Sequence, residues 1–323
     1  MQLLNDIVST FTRMRPYSFK GETVPCNLCG STEHDIVGRR DRYGNKLLTV
    51  LCKNCGLVFT NPMPTEEEVA VFYRKVYRRL YHGDSRPRKK AVMRGARGAV
   101  HRHEFIKRVL KDGDRVLDVG AGGGEFVNYM CGKGYDAHGI EPNEGFVRYA
   151  VEKYGVPIRM ALWQTAEIDE GSFDLITANH VVEHFLDPLA ALRCFRSWLK
   201  PGGKLFVSVP DIYNPNRTPY SRFHFGHLYN FTYPTLVMMA RRAGLTRSKT
   251  TPETGTTLIF DVADPTDDWF MHPDSYAVMR KFFDTYTNRR YFLSITPYYR
   301  WFLRMNRLGG DMVKVAFARN PGK

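Results

Sequence analysis

Two Cys-x2-Cys-Gly units, Cys26-Asn-Leu-Cys29-Gly30 and Cys52-Lys-Asn-Cys55-Gly56, stand 22 residues apart near one end of the chain. Each turn presents two thiolates to one ion, and four thiolates make a closed tetrahedral site, so the spacing reads as structural Zn2+ held by Cys26, Cys29, Cys52 and Cys55. Such a site has no open position with which to activate water; its binding free energy lets a small head fold. Cys131 and Cys194 read as free thiols.

A second group is Arg115-Val-Leu-Asp118-Val-Gly120-Ala121-Gly122-Gly123-Gly124-Glu125, a strand running into a glycine turn against which a ligand can lie. In a dinucleotide fingerprint the third conserved glycine or alanine would fall at Glu125, whose carboxylate would face pyrophosphate, so hydride chemistry is disfavoured. A third group is Asn179-His180-Val-Val-Glu183-His184, followed at a distance by Phe223-His224-Phe-Gly226-His227-Leu-Tyr229. If the first of these loops turns helically, its i, i+3 and i+4 spacing puts His180, Glu183 and His184 on one face. Three readings stay open for it: a histidine base oriented by Glu183, a network that braces the loop, and a site for a divalent metal. Packed histidines are the competing reading for the second segment.

The elements that must position these groups follow from patterning. Short apolar runs at Arg115–Val119, Asp136–Glu141, Ile158–Leu162, Phe173–Ala178 and Lys204–Val209 read as strands. Phe126–Met130, Glu144–Tyr154, Leu189–Leu199 and Thr235–Ala243 read as helices between and after them. This alternation predicts an α/β fold with a parallel sheet covered on both faces and ligands at the carboxyl ends of the strands. Ahead of it, residues 1–64 read as an amino-terminal segment with the metal-bound head and residues 65–112 as a basic helical linker. Residues 113–323 read as the ligand-binding domain. The linker opens on Thr65-Glu-Glu-Glu68, a capping box. Residues 265–310 interrupt the alternation with an aromatic stripe at helical spacing, read as core or as a lid or membrane-touching surface. A last strand is expected at Asp311–Ala318.

Across 323 residues there are 47 Lys and Arg against 33 Asp and Glu, a net charge of +14 that favours anionic partners. Thirteen of the basic residues fall between Arg74 and Arg108, against Asp84 and Glu104 alone. That stretch reads as a solvated basic face or as a contact for phosphate or anionic lipid. No apolar run reaches the length of a membrane span, and the first residues lack the basic and cleavage features of a secretory signal. A cytoplasmic protein, at most peripheral to the inner membrane, is expected.

The Asp118 to Gly124 loop, together with Gly139-Ile-Glu141-Pro142 at the next strand end, resembles the cofactor site of the class I S-adenosylmethionine (SAM) methyltransferases. Phe173-Asp-Leu-Ile176, the loop from Asn179 to Pro188, and Leu199-Lys-Pro-Gly-Gly203 extend the resemblance from about Val116 to Ala243. It implies a Rossmann-like seven-stranded sheet and SAM held by Asp118, Gly120, Ala121, Gly122, Gly124, Glu141 and Asn179. Glu141 would accept the ribose hydroxyls, and Leu162 and Trp163 would pack against adenine. The zinc head with Leu57-Val-Phe-Thr-Asn-Pro-Met-Pro64 resembles bacterial methyltransferases with an amino-terminal zinc ribbon, including deoxysugar C-methyltransferases. That resemblance implies a role in polysaccharide or natural-product biosynthesis, with a sugar, glycan or related small molecule, phosphorylated or lipid-linked, as acceptor. In those relatives a His of the second histidine segment faces the acceptor, and His227 matches it best, with Tyr229 two residues on. His180 and His184 lie in the loop where the acceptor of the class I family approaches the methyl group, so His180, His184 or His227 is the expected base, with Glu183 in support; Asp211 and Tyr213 are further candidates for the acceptor pocket. A Glu-rich variant of the His180–His184 loop binds magnesium in some quinone O-methyltransferases, which keeps a divalent metal there in play.

Two other functions compete. A nucleic-acid methyltransferase would use the zinc head and basic helices as grips, but the (Asp/Asn)-Pro-Pro-(Tyr/Phe) tetrad that serves exocyclic nitrogens is absent, as is a Pro-Cys nucleophile. No stable nucleic-acid partner is expected. A non-catalytic zinc-dependent binding module would predict a degenerate glycine loop, which the sequence does not show.

Overall fold

The computed structural model describes residues 18–72, 87, 89–213, 219–264, 266, 268–295 and 297–299. The expected strand at Asp311–Ala318, the end of the aromatic stripe, the amino-terminal 17 residues and Arg74 to Arg86 and Arg88 of the basic stretch lie outside the described residues.

The head is built from β1 (His34–Arg40), β2 (Lys46–Cys52) and β3 (Val58–Thr60), paired antiparallel in that order. Thr65 and Glu68 then close the expected capping box: the Thr65 amide donates to Glu68 Oε2 (3.0 Å) and the Glu68 amide to Thr65 Oγ1 (3.3 Å). They start α1 (Glu66–Phe72). Helix α2 (Lys89–Ile106) carries the described part of the basic stretch.

The main sheet begins with β4 (Arg115–Val119), α3 (Glu125–Cys131), β5 (Asp136–Glu141), α4 (Glu144–Tyr154) and β6 (Ile158–Met160). It continues through β7 (Phe173–Asn179), α5 (Pro188–Trp198) and β8 (Leu199–Ser208). After a two-residue strand, β9 (Tyr229–Asn230), come α6 (Tyr233–Arg242), β10 (Leu245–Arg247) and β11 (Thr257–Val262). The spatial order is β10-β11-β8-β7-β4-β5-β6. The five strands from β8 to β6 are parallel, as their alternation with helices predicts, while β11 and β10 run antiparallel. The expected seven-stranded sheet is thus parallel through its centre, with an antiparallel pair at one edge. The link from β8 to β11 passes through two further elements and returns as a hairpin with β10, so no right-handed crossover is needed there. Among the described residues the seven strands are complete at Val262, before the aromatic stripe.

Alternation along β4 sends Leu117 and Val119 into one core and Val116 into the other. The second core also holds Ala99 and Ile106 of α2, so this helix, read from sequence as part of a linker, packs on the sheet beside α3. The first core takes in Cys26, Leu28, Val50, Leu57 and Phe59 of the head together with Leu117, Ile176 and Val207 of the sheet. The connection between β8 and α6 also adds a fourth strand to the head, because β9 pairs with β3 (Val58 with Asn230, Phe59 with Tyr229).

Beyond the sheet, α7 (Ser275–Thr285) and α8 (Asn288–Phe292) turn back to the head. Met279 and Phe282 of α7 are buried with Leu47, Leu51 and Val58. The amino-terminal half of the aromatic stripe is thus core, as one of its two readings held, and it covers the head.

Because the head has no core of its own, its loss and the loss of the sheet should coincide. Phe59, 1% exposed and stacked on Tyr229 at 6.1 Å, should on replacement by Ala cost about 3–5 kcal/mol. Far-UV circular dichroism and tryptophan fluorescence should still report one shared transition. A head that melts early, with the main transition unmoved, would contradict the shared core.

Candidate active site

The carboxyl ends of β4, β5 and β7 lie side by side, with Asp118 opposite Gly139 and Thr177 in the sheet register. The chain leaves β4 toward β5 and β6, then returns on the other side of β4 as β7. The sheet therefore opens a crevice between the glycine loop and the loop after β7, where ligands of such sheets bind.

The Gly120 and Ala121 amides donate to the Ile140 carbonyl (2.9 and 3.0 Å), which folds the glycine loop back over β5. Gly122 has φ +55, and a Cβ built there meets nothing within 4 Å. By contrast, a Cβ at Gly120 would collide with Val181 of the loop after β7. The loop thus offers bare backbone to open space at Gly122, a cradle that suits a ligand without phosphate.

Glu141 is 8% exposed at the end of β5. Its Oε2 accepts from the Gly122 amide (2.9 Å) and its Oε1 from the Asn143 amide (2.9 Å), so the carboxylate is aimed across the mouth of the cradle. Burial pushes its carboxyl up, and the two amides oppose that shift. Asp118 points to the α2 face, where its Oδ1 accepts from Arg102 Nη1 and Thr177 Oγ1, both at 2.6 Å. Burial pushes its carboxyl up too, against the charge of Arg102. Arg102 also lies over the Phe126 ring at 4.0 Å. Asp118 therefore ties α2 to the sheet beneath the glycine loop. Neither Arg102 nor Thr177 stands out in the sequence, since each gains its role from a contact made in the fold.

Ala121 is buried at 7% exposure, and Gly124 closes the turn as the left-handed cap of α3. Asn179 ends β7, half-buried and in register with Ser208. After β6, Leu162 is 51% exposed, whereas Trp163 packs against Phe185 (5.9 Å) and Phe195 (6.4 Å).

The loop after β7 starts on strained backbone: His180 has φ +58, the one non-glycine residue with positive φ among the described residues. A short 3-10 turn, Val182–His184, follows. It buries Glu183 to 1% exposure, and neither of its carboxylate oxygens has a hydrogen-bond partner. Three imidazoles surround Glu183 Oε1 instead: His180 Nδ1 at 3.6 Å, His184 Nε2 at 3.8 Å and His227 Nε2 at 3.9 Å. The two histidine segments read separately from the sequence therefore converge on one carboxylate, and His224 stacks on His227 at 3.8 Å between ring centroids. His184 Nδ1 pairs with the Gly226 carbonyl. A carbonyl only accepts, so Nδ1 carries a proton and Nε2 is the ring atom that faces the cluster.

Tyr229 is not in this cluster. It is 2% exposed on β9, its hydroxyl donates to the Leu186 carbonyl (3.1 Å), and burial pushes its pKa upward. The structure gives it a bracing place under the loop. Asp211 bridges to Phe231 and accepts from the Tyr213 amide (2.8 Å), while Tyr213 packs on Phe282 at 4.7 Å.

In the head, the four cysteine sulfurs lie within 4.8 Å of one another, with Cys26 to Cys55 at 3.6 Å and Cys29 to Cys52 at 3.4 Å. Bonds of about 2.3 Å to a tetrahedral zinc ion bring sulfurs to such separations, so the four thiols fit Zn2+. Asn27, between the first two cysteines, extends this clip to the loop after β7. Its Nδ2 donates to Asp187 Oδ1 (2.9 Å), and its Oδ1 accepts from the Leu189 amide (3.1 Å).

Residues 93–248 match a family model described as a methyltransferase domain, Methyltransf_23. Over 130 residues the chain is 36% identical to phosphoethanolamine N-methyltransferase 1 of Arabidopsis thaliana, covering 37% of this chain and 26% of that protein. Over 125 residues it is 36% identical to the ubiquinone biosynthesis O-methyltransferase of Xanthomonas axonopodis pv. citri, covering 36% of this chain and 50% of that protein. The chain thus spans between a quarter and a half of the length of these relatives. A solved SAM-dependent methyltransferase from Aquifex aeolicus superposes with a TM-score of 0.40 at 20% identity, over 51% of this chain and 89% of that one.

Replacing Glu141 with Ala should weaken binding of S-adenosylhomocysteine at least about tenfold in calorimetry, since it removes a buried charged acceptor. Unchanged affinity would show that the ribose is held elsewhere. The sheet order, the Gly122 cradle faced by Glu141 and the family match over residues 93–248 together identify a class I SAM-dependent methyltransferase domain in this chain.

Proposed function

We propose that the protein methylates a hydroxyl, or an activated carbon, of a sugar, glycan or related small molecule, and that His184 takes the proton. When bound, SAM supplies an electrophilic methyl group on its sulfonium. Bare backbone at Gly122 and the Glu141 carboxylate hold the nucleoside and amino-acid parts, so the chain's task is to position a nucleophile and remove its proton.

The observation that carries this reading is the Glu183 cluster. A carboxylate buried to 1% without a hydrogen-bond donor is costly unless positive charge develops beside it. His184 Nε2, 3.8 Å away, holds a lone pair and can accept a proton; the imidazolium so formed is stabilised by Glu183. His180, 55% exposed in its side chain, stands at the solvent side of the cluster, and His227 closes the other side.

The acceptor class is supported by two things. The ubiquinone and phosphoethanolamine methyltransferases that the chain resembles are named for small molecules. The zinc head resembles those of sugar methyltransferases. A second reading rests on the donor set itself: Glu183, His184 and His227 offer ligand atoms within 4.8 Å of one another, a grouping that also suits a divalent ion. Under the base reading, chelation that spares the cysteine-bound metal leaves turnover intact.

Transfer of labelled methyl from SAM into a deproteinised extract of the source cell, split into nucleic acid, lipid and polar fractions, tests both acceptor and base. Label should enter the polar or lipid fraction. The double variant His184→Ala and His227→Ala should bind S-adenosylhomocysteine within about twofold of the parent yet lose about 100-fold or more of the incorporation. Nuclease-sensitive label would transfer the protein to the nucleic-acid methyltransferases, and undiminished incorporation by the double variant would remove these histidines from the chemistry.

A further inference from the structure

Past the α7 cap, the chain turns its side chains outward. Tyr291 is buried at 4% exposure, but the residues after it are not: Phe292 is 49% exposed, Leu293 78%, Ile295 82%, Tyr298 63% and Tyr299 58%. Their backbone is ordered by local bonds, with the Leu293 amide donating to the Arg289 carbonyl (3.1 Å) and the Tyr299 amide to the Ile295 carbonyl (3.0 Å). The Tyr298 hydroxyl donates to the Phe292 carbonyl (3.2 Å), which holds this stretch as one protruding turn. Leu293 and Ile295 are the two most exposed large apolar side chains among the described residues.

Arg289 and Arg290 are exposed on α8, and no Asp or Glu falls between Thr285 and Tyr299. We propose that this turn is a docking surface for an anionic lipid membrane, with Leu293 and Ile295 entering the acyl boundary. Tyr298 and Tyr299 lie at headgroup depth and Arg289 and Arg290 meet lipid phosphate. The aliphatic pair decides between lipid and nucleic acid: arginine and tyrosine serve either, but Leu293 and Ile295 gain little from phosphate or base stacking and much from hydrocarbon. The mode is surface attachment, since no helix among the described residues is long and apolar enough to cross a membrane.

Position gives the surface a use. Helix α8 lies against the short turn Pro219–Ser221, in the connection between β8 and β9 that also carries His224 and His227. A protein docked there would hold the acceptor side of its crevice near the bilayer, where a lipid-linked substrate would present itself. The docking surface does not rest on the methyl-transfer reading and stands or falls separately from it.

Co-sedimentation of the full chain, zinc-loaded, with vesicles of phosphatidylcholine containing about 30 mol% phosphatidylglycerol tests it, against pure phosphatidylcholine as control. The protein should pellet with the anionic vesicles at least about fivefold more than with the control, and high salt should weaken the binding. The variant Leu293→Ser with Ile295→Ser should lose that binding while keeping the parent melting temperature and S-adenosylhomocysteine affinity. Failure of the parent to pellet would overturn the proposal. So would undiminished pelleting of the variant, or binding of single-stranded RNA in preference to anionic vesicles.

Discussion

Four thiols packed within 4.8 Å of one another set the constraint on which the active-site loop depends. Gathering four sulfurs so closely is stable when their thiolates share a cation, and a zinc ion does so with its full coordination shell. The two Cys-x2-Cys turns then become rigid, and Asn27 inside the first turn becomes a fixed point. From it run two hydrogen bonds to the amino-terminal end of α5, at Asp187 and Leu189. Arg242 of α6 grips the same turn through the Asn27 carbonyl (3.4 Å) and the Leu28 carbonyl. Tyr229, on the strand that the connection after β8 adds to the head, holds the Leu186 carbonyl. The loop that carries His180, Glu183 and His184 is thus fastened to the metal clip at its far end and to β7 at its near end.

That fastening explains how Glu183 can be buried without a hydrogen-bond donor. A free loop would rotate such a carboxylate to water; this one is held at both ends, so the cost is carried by the surrounding structure. The left-handed backbone at His180 belongs to the same arrangement, since it directs the loop off the strand end toward Val181, which in turn fills the space that the missing side chain of Gly120 leaves. Glycine loop and histidine loop fit each other, and each limits where the other can go.

Much of this was legible in the sequence because it is local. The cysteine turns, the glycine loop, Glu141 at the next strand end and the helix caps are set by spacing within a few residues. The parallel strands from β4 to β8 announce themselves by apolar runs with turn residues between. What escaped depends on contacts between distant segments. Arg102 sits among many basic residues, and only the packing of α2 on the sheet singles it out as the partner of Asp118. Strand β9 is two residues long and has no period to read; its pairing with β3 ties the connection after β8 to the head. The same pairing commits the Tyr229 hydroxyl to a backbone carbonyl and away from the histidines with which its sequence position groups it.

A crystal structure with S-adenosylhomocysteine bound tests most directly whether the Gly122 cradle and the Glu183 cluster serve one reaction centre. The expected result is ribose hydroxyls on Glu141, the amino-acid portion along the glycine backbone at Gly122, and a sulfur whose vacant methyl direction points toward His180, His184 and His227. A sulfur directed away from those histidines, or a nucleoside lying outside the crevice, would contradict it.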